Sequence, residues 1–240
     1  MIRDAWMKLP VPVRVVVPGL LLVALGVWGF FAVLDEVLDN DIIEAADEPL
    51  IEWLVDNRLE WLTTVMTVIT QTFGPVVLPI LIVIGCAFWV WRTRTWRDPL
   101  LLAGAMVLAT GISMLAKMMV ARARPEEGFQ TVPGYETSYS FPSGHTTGAA
   151  TLVLVTAYLL WHRRGGMRAA LWWALGSLLL IALVGGTRLY LGYHFLSDVL
   201  AGACVGIVVL GLVVAVDRWL DLRYDERESV APAKSGPTRP

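Results

Sequence analysis

Six apolar segments recur along this chain, at about 15–34, 75–91, 99–120, 143–161, 169–186 and 195–216. Each is close to the roughly 20 residues that an α-helix needs to cross the hydrocarbon of a bilayer. The chain is 56% hydrophobic and 17% charged, against roughly a quarter charged in a soluble domain, and its mean hydropathy is +0.62. The pattern predicts an all-α, six-transmembrane-helix bundle that forms one domain over residues 1–224. The first segment runs into Leu34-Asp35-Glu36 with no small-residue cleavage site, so it reads as a retained helix and not as a cleaved leader.

Two stretches fall outside the spans. Residues 35–60 are acidic, and Ile51 to Trp61 has helical amphipathicity with Trp53 and Trp61 placed as interfacial residues. The expectation is one additional amphipathic helix lying at the membrane surface, continuing through Thr63–Phe73 and breaking at Gly74-Pro75. Residues 225–240 are polar and rich in Pro, Ala and Ser, the composition of a disordered tail.

The charges are segregated. Fourteen of the nineteen lysines and arginines fall at the N-terminus, in the 92–97 and 163–168 loops, or after residue 217. The remaining five are Arg58, Lys117, Arg122, Arg124 and Arg188. By the positive-inside rule both termini are cytoplasmic, and the loops opposite face outward. No basic stripe with interleaved aromatics exists, which excludes nucleic acid as a partner. Cys86 and Cys204 lie inside apolar runs and read as small buried hydrophobes.

Against this apolar background, three outward-facing stretches concentrate phosphate-handling groups, and ionisable groups in apolar spans read as functional by default. Lys117 and Arg124 are two helical turns apart at the end of the third span, before Pro125. A guanidinium fork and an ammonium there suit phosphate oxygens; snorkelling cations are the plainer reading, and Arg122 fits that description. Pro142-Ser143-Gly144-His145 opens the fourth span. Ser143 is a natural N-cap, Gly144 allows close backbone approach, and the helix N-terminus is an anion site. His145 in the first turn is placed to protonate a leaving oxygen. His194 and Asp198 are spaced i, i+4, so the carboxylate reaches the imidazole, with Arg188 just before them; a polar pair packed between helices is the alternative. His162, beside Arg163 and Arg164 on the other side, reads as interfacial. Glu126, Glu127 and Glu136 read as solvated loop charges, one of which can adjust the protonation of His145. Gly202 and Gly206 form a small-xxx-small pair that marks close helix packing, within the monomer or in a homodimer.

In this order and spacing the stretches resemble the type 2 phosphatidic acid phosphatase family, whose signatures are Lys-x6-Arg-Pro, Pro-Ser-Gly-His and Ser-Arg-x5-His-x3-Asp. Thr187 stands in the serine position of the third and keeps its hydroxyl. The resemblance implies a lipid phosphatase in which His194 attacks phosphorus and forms a phosphohistidine, Asp198 orients it, and His145 protonates the leaving oxygen. Lys117, Arg124, Ser143, Gly144 and Arg188 would hold the phosphoryl oxygens. It implies no metal and no other cofactor. The expected substrates are phosphatidate, phosphatidylglycerol phosphate or a polyprenyl diphosphate, met at the outer face of a bacterial plasma membrane. A lipid phosphotransferase on the same fold is the nearest alternative. A transporter is disfavoured because the charges gather at one face and not at the midplane of several spans.

Overall fold

The computed structural model describes residues 10–39, 42–132 and 136–230. Among them the chain is all-α: α1 (Val11–Asp39), α2 (Ile42–Asp56), α3 (Glu60–Thr72), α4 (Val77–Thr93), α5 (Arg97–Val120), α6 (Gly144–Arg164), α7 (Met167–Tyr190) and α8 (Leu196–Val230), with a 3-10 turn at Glu127–Phe129. Each of the six apolar segments lies on a helix. Four of these, α1, α5, α7 and α8, are long and apolar enough to cross a membrane, and α3 with α4 make a fifth if the pair, bent by 56°, counts as one span. α6 has 21 residues but carries Thr146, Thr147, Thr151 and two glycines. It packs against α5, α7 and α8 together, and those threonines are buried. Shielded from lipid, this helix has no need of an apolar perimeter.

The segment between the first two spans departs from the expected single surface helix. It is two helices, interrupted at residues 57–59, and it is not wholly superficial, because Asp47 of α2 is buried. Arg58 holds the interruption in place by donating to Tyr190 O (2.9 Å) and Phe129 O (2.6 Å). At the other extreme, α8 continues to Val230, so residues 225–230 of the expected tail are helical. Residues 231–240 lie outside the described residues.

Glycines set the helix spacing. A Cβ on Gly19 of α1 would come within 2.5 Å of Gly211 O on α8, and one on Gly206 within 2.5 Å of Ala150 Cβ on α6. Gly202 likewise lies against Ser143 O. The Gly202/Gly206 pair is therefore used inside the chain to bring α8 onto the start of α6. Lipid-sized apolar side chains such as Trp28, Val83, Met119 and Trp172 point outward, as expected of a surface solvated by hydrocarbon.

At the end of the bundle away from the three motifs, α5, α6 and α8 are tied by ion pairs. Arg97 reaches Asp217 (2.7 Å) and Asp221 (2.6 Å), and Arg163 reaches Asp98 (2.7 Å) and Asp217 (2.9 Å). His162 belongs to this cluster and is more than interfacial: it stacks on Tyr158 and lies 3.2 Å from Asp221. His162, Asp217 and Asp221 have the spacing of metal ligands. The Asp217 oxygens, however, are taken by Arg97, Arg163 and Tyr158, and so many cations disfavour a metal ion.

Candidate active site

The turn between α7 and α8 positions the histidine and aspartate. Gly192 has φ +77° there, and a Cβ would fall 2.1 Å from Phe129 O, so only glycine fits. The chain then enters α8 with Asp198 in the first turn. Asp198 Oδ2 accepts from Phe195 N–H (2.9 Å) and from the Ser140 hydroxyl, and lies 3.2 Å from His194 Nδ1. Asp198 Oδ1 accepts from Arg122 Nη1 at 3.0 Å. A carboxylate on Nδ1 assigns the proton to that nitrogen and leaves the Nε2 lone pair for chemistry. His194 and Asp198 are both buried.

Nε2 faces cations. Arg124 Nη1 lies 3.2 Å from it, and Arg124 is itself fixed by donating to Ser138 O (2.6 Å) and Tyr193 O (2.8 Å). Arg188, buried in the last turn of α7, donates to Thr70 Oγ1 at 2.7 Å and lies over the Tyr193 ring. Its Nε has no hydrogen-bond partner. Both guanidiniums converge on Glu136. Its carboxylate pairs with Arg188 and, at 2.8 Å, with Arg124, and its Oε2 is 3.8 Å from His194 Nε2. Glu136 is thus no solvated loop charge: it fills the space between the two arginines and the histidine. A cavity of about 370 Å³ opens beside it, lined by Arg122, Arg124, Gln130, Glu136 and Ser138 among others, a volume within the ~300–1,000 Å³ of small-molecule sites.

The remaining motif residues lie around this centre. Lys117 donates to the carbonyls of Tyr139 and Ser140 (3.1 Å to the latter) and so braces the loop that carries Ser140. Ser143 caps α6, accepting from Thr146 Oγ1 at 3.1 Å, and its N–H donates to Asp198 O at 3.0 Å. The start of α6 is thereby joined to the start of α8. Gly144 has open space where a Cβ would stand, and His145 Nε2 lies beside Gly74, 3.5 Å from where its Cβ would be, at the α3–α4 bend. Thr187 is buried, with its hydroxyl donated to Val184 O.

Electrostatics follow from these neighbours. Burial first, then Arg188 and Arg124, push the His194 imidazole well below its ordinary pKa, with Glu136 opposing. Burial works against ionisation of Glu136, but Arg188, His194 and Arg124 outweigh it and hold the carboxyl below its ordinary value. Ser140, Thr70, Glu136, Asp47 and Arg122 all take part in this network, and the sequence reading gave none of them a role in holding the site together. Arg122 had a visible signal as a third cation beside Lys117 and Arg124, and Glu136 a weaker one as a loop acid able to act on His145; Ser140 stands just before Pro142 without a signal of its own, and Thr70 and Asp47 come from distant segments.

Comparison with known proteins supplies an independent reading. The family model of the PAP2 superfamily matches residues 98–221. Phosphatidylglycerophosphatase B of Bacillus subtilis is 32% identical over 193 residues, spanning 78% of this chain and 91% of that protein. An undecaprenyl-diphosphatase of Sulfolobus acidocaldarius is 31% identical over 134 residues, 52% of this chain and 57% of that one. In structure, the chain is similar to a transmembrane PAP2-type phosphatidylglycerolphosphate phosphatase from Bacillus subtilis. The TM-score is 0.69 at 29% identity, over 87% of this chain and 98% of the other.

Proposed function

The chain belongs to the PAP2 superfamily, and from that premise we propose how its site works as a metal-independent lipid phosphatase. One observation carries the proposal: a buried guanidinium (Arg188), a partly buried one (Arg124) and a histidine Nε2 converge on one anion, here the Glu136 carboxylate. A phosphoryl group is a larger anion with more oxygens for the same fork donors. The unpartnered Nε of Arg188 offers one more.

With phosphate in that place, Nε2 of His194 attacks phosphorus. The N–P bond forms as the bond to the leaving oxygen breaks, and His145 delivers a proton to that oxygen. Asp198 on Nδ1 supports the charge that develops on the ring. Water then attacks phosphorus, His145 takes its proton, and the N–P bond breaks to release inorganic phosphate. Arg124, Arg188, Lys117, Ser143 and the Gly144 N–H stabilise the equatorial oxygens, which is most of what phosphoryl transfer asks of a protein. No step requires a metal.

The substrate is a phosphomonoester or diphosphate of a lipid: phosphatidate, phosphatidylglycerol phosphate or a polyprenyl diphosphate. The names of the relatives point toward the last two. The proposed topology has six spans, with α6 as the shielded one and α2–α3 as the interfacial segment. Both termini are cytoplasmic and the site is at the outer face of a bacterial plasma membrane. Its support is the charge count, together with the motifs' placement at the end of α5, the start of α6, the end of α7 and the start of α8. In an antiparallel bundle these share one end. Phosphate release by purified protein from each lipid, and from a soluble ester, tests the reading. Turnover of one or more lipids, abolished by His194→Ala, is expected. Turnover of the soluble ester alone overturns the lipid assignment, and an active His194→Ala overturns the mechanism.

A further inference from the structure

A carboxylate that orients an imidazole must itself be held, because its terminal torsion is broad and roughly two-fold. Asp198 Oδ2 is occupied by His194, Ser140 and the Phe195 N–H. Its Oδ1 depends on Arg122 Nη1, at 3.0 Å. The same Nη1 is 2.6 Å from Ser197 Oγ, and the other arm, Nη2, is 3.0 Å from Asp47 Oδ2. Asp47 in turn accepts from the Ser197 N–H (3.1 Å) and from the Ser197 hydroxyl. The guanidinium lies over the Phe195 ring, 4.4 Å from its centroid. Three ionisable groups from α2, the α5–α6 connection and α8 are thus joined in a row next to the nucleophile. Asp47 is 1% exposed, whereas Glu48, Glu52 and Asp56 of the same helix are exposed.

We propose that Arg122 and Asp47 are positioning residues for the reaction: Arg122 holds the outer oxygen of Asp198, and Asp47 holds Arg122. The proposal rests on the assignment of His194 and Asp198 as the reacting pair. The charge arrangement explains why both are needed. Arg122 separates two buried carboxylates that would otherwise repel each other, and a planar fork bridges them where an ammonium would serve only as a point charge. Asp47 takes up the second arm, leaving the guanidinium one orientation.

The whole 240-residue chain in detergent, with a lipid the wild type hydrolyses, provides the test. Arg122→Gln should lower kcat at least tenfold with KM changed less than about threefold, and rapid-quench sampling should show slowed formation of the phosphoenzyme. Arg122→Lys should recover part of the loss. Asp47→Asn, which keeps the shape and most hydrogen bonds, should lower kcat less, with the same KM behaviour. The double variant should be no slower than Arg122→Gln alone, since Asp47 acts through Arg122. Losses that multiply in the double variant overturn the proposal, as does a rise in KM with kcat intact. So does normal phosphoenzyme formation in Asp47→Asn, a variant that serves even if Arg122→Gln does not fold. Absence of lipid hydrolysis by the wild type would count against the reaction itself, before any variant is compared.

Discussion

His194 presents two differently occupied nitrogens, Nδ1 to a carboxylate and Nε2 to a guanidinium. Burial and two arginines oppose a second proton on the ring, so as pH falls through the ordinary histidine value of about 6.5 the imidazole stays neutral and nucleophilic. Histidine-selective 15N NMR, with the resonance identified by its loss in His194→Gln, should show no protonation of this ring near pH 6.5; a midpoint there would contradict the burial argument. Glu136 gives a second prediction at this scale. Its carboxylate occupies Arg124 and Arg188, the two arginines proposed to hold phosphate, and one charge-assisted hydrogen bond contributes ~1.5–3 kcal/mol. Removing the competing charge by Glu136→Gln should therefore tighten inhibition by inorganic phosphate about tenfold, a change equivalent to about 1.4 kcal/mol. An unchanged inhibition constant would mean that phosphate binds elsewhere. Lys117, Arg124, Arg188, His194 and Asp198 were visible in the sequence because motif spacing is local. Glu136 was legible only as one of three loop acids, one of which could act on His145; its actual partners, Arg124, Arg188 and His194, are far apart in sequence and leave no local mark on a polar loop.

At the scale of elements, each of the six apolar runs was legible as a helix, since continuous hydrophobicity over about 20 residues is a strong signal. The stretch between the first two was less so. Amphipathicity showed that it was helical, but not that it breaks at 57–59, because the local stop is slight, Asn57 donating back to Trp53 O, and Arg58 is drawn to carbonyls of Phe129 and Tyr190, far along the chain. Two glycines give contrasting predictions. Gly192→Ala adds a Cβ at positive φ and 2.1 Å from Phe129 O. A left-handed residue alone costs ~1–2 kcal/mol, so the variant should lose several degrees of melting temperature and most of its activity as His194 is displaced. Gly104→Ala, where a Cβ would meet nothing within 4 Å, should leave both at wild-type levels. Equal effects in thermal-shift and turnover assays would show that the turn does not position the histidine.

For the molecule as a whole, the charge count and the shared end of the three motifs make one statement about sidedness. In a Cys86→Ala, Cys204→Ala background, an impermeant thiol reagent should label Glu127→Cys in intact cells and Thr95→Cys only after permeabilisation. The reverse pattern would invert the topology. What the sequence could not show is that the opposite end is locked. Arg97, Asp98, Arg163, Asp217 and Asp221 pin α5, α6 and α8 together there. The mixed charges of those loops carry the orientation signal but not their pairings. At its other end the same α8 is tied as closely, through Asp198 to Ser143 N–H and Arg122 and through the Ser197 N–H to Asp47. Asp217 and Asp198 are nineteen residues apart on one helix, about 28 Å at 1.5 Å per residue. The two polar anchors of α8 are therefore separated by about the thickness of a bilayer's hydrocarbon, roughly 30 Å. Sliding α8 along the membrane normal would draw one or other of these charged clusters toward hydrocarbon, so the same contacts that order the two ends also fix the depth at which the helix sits.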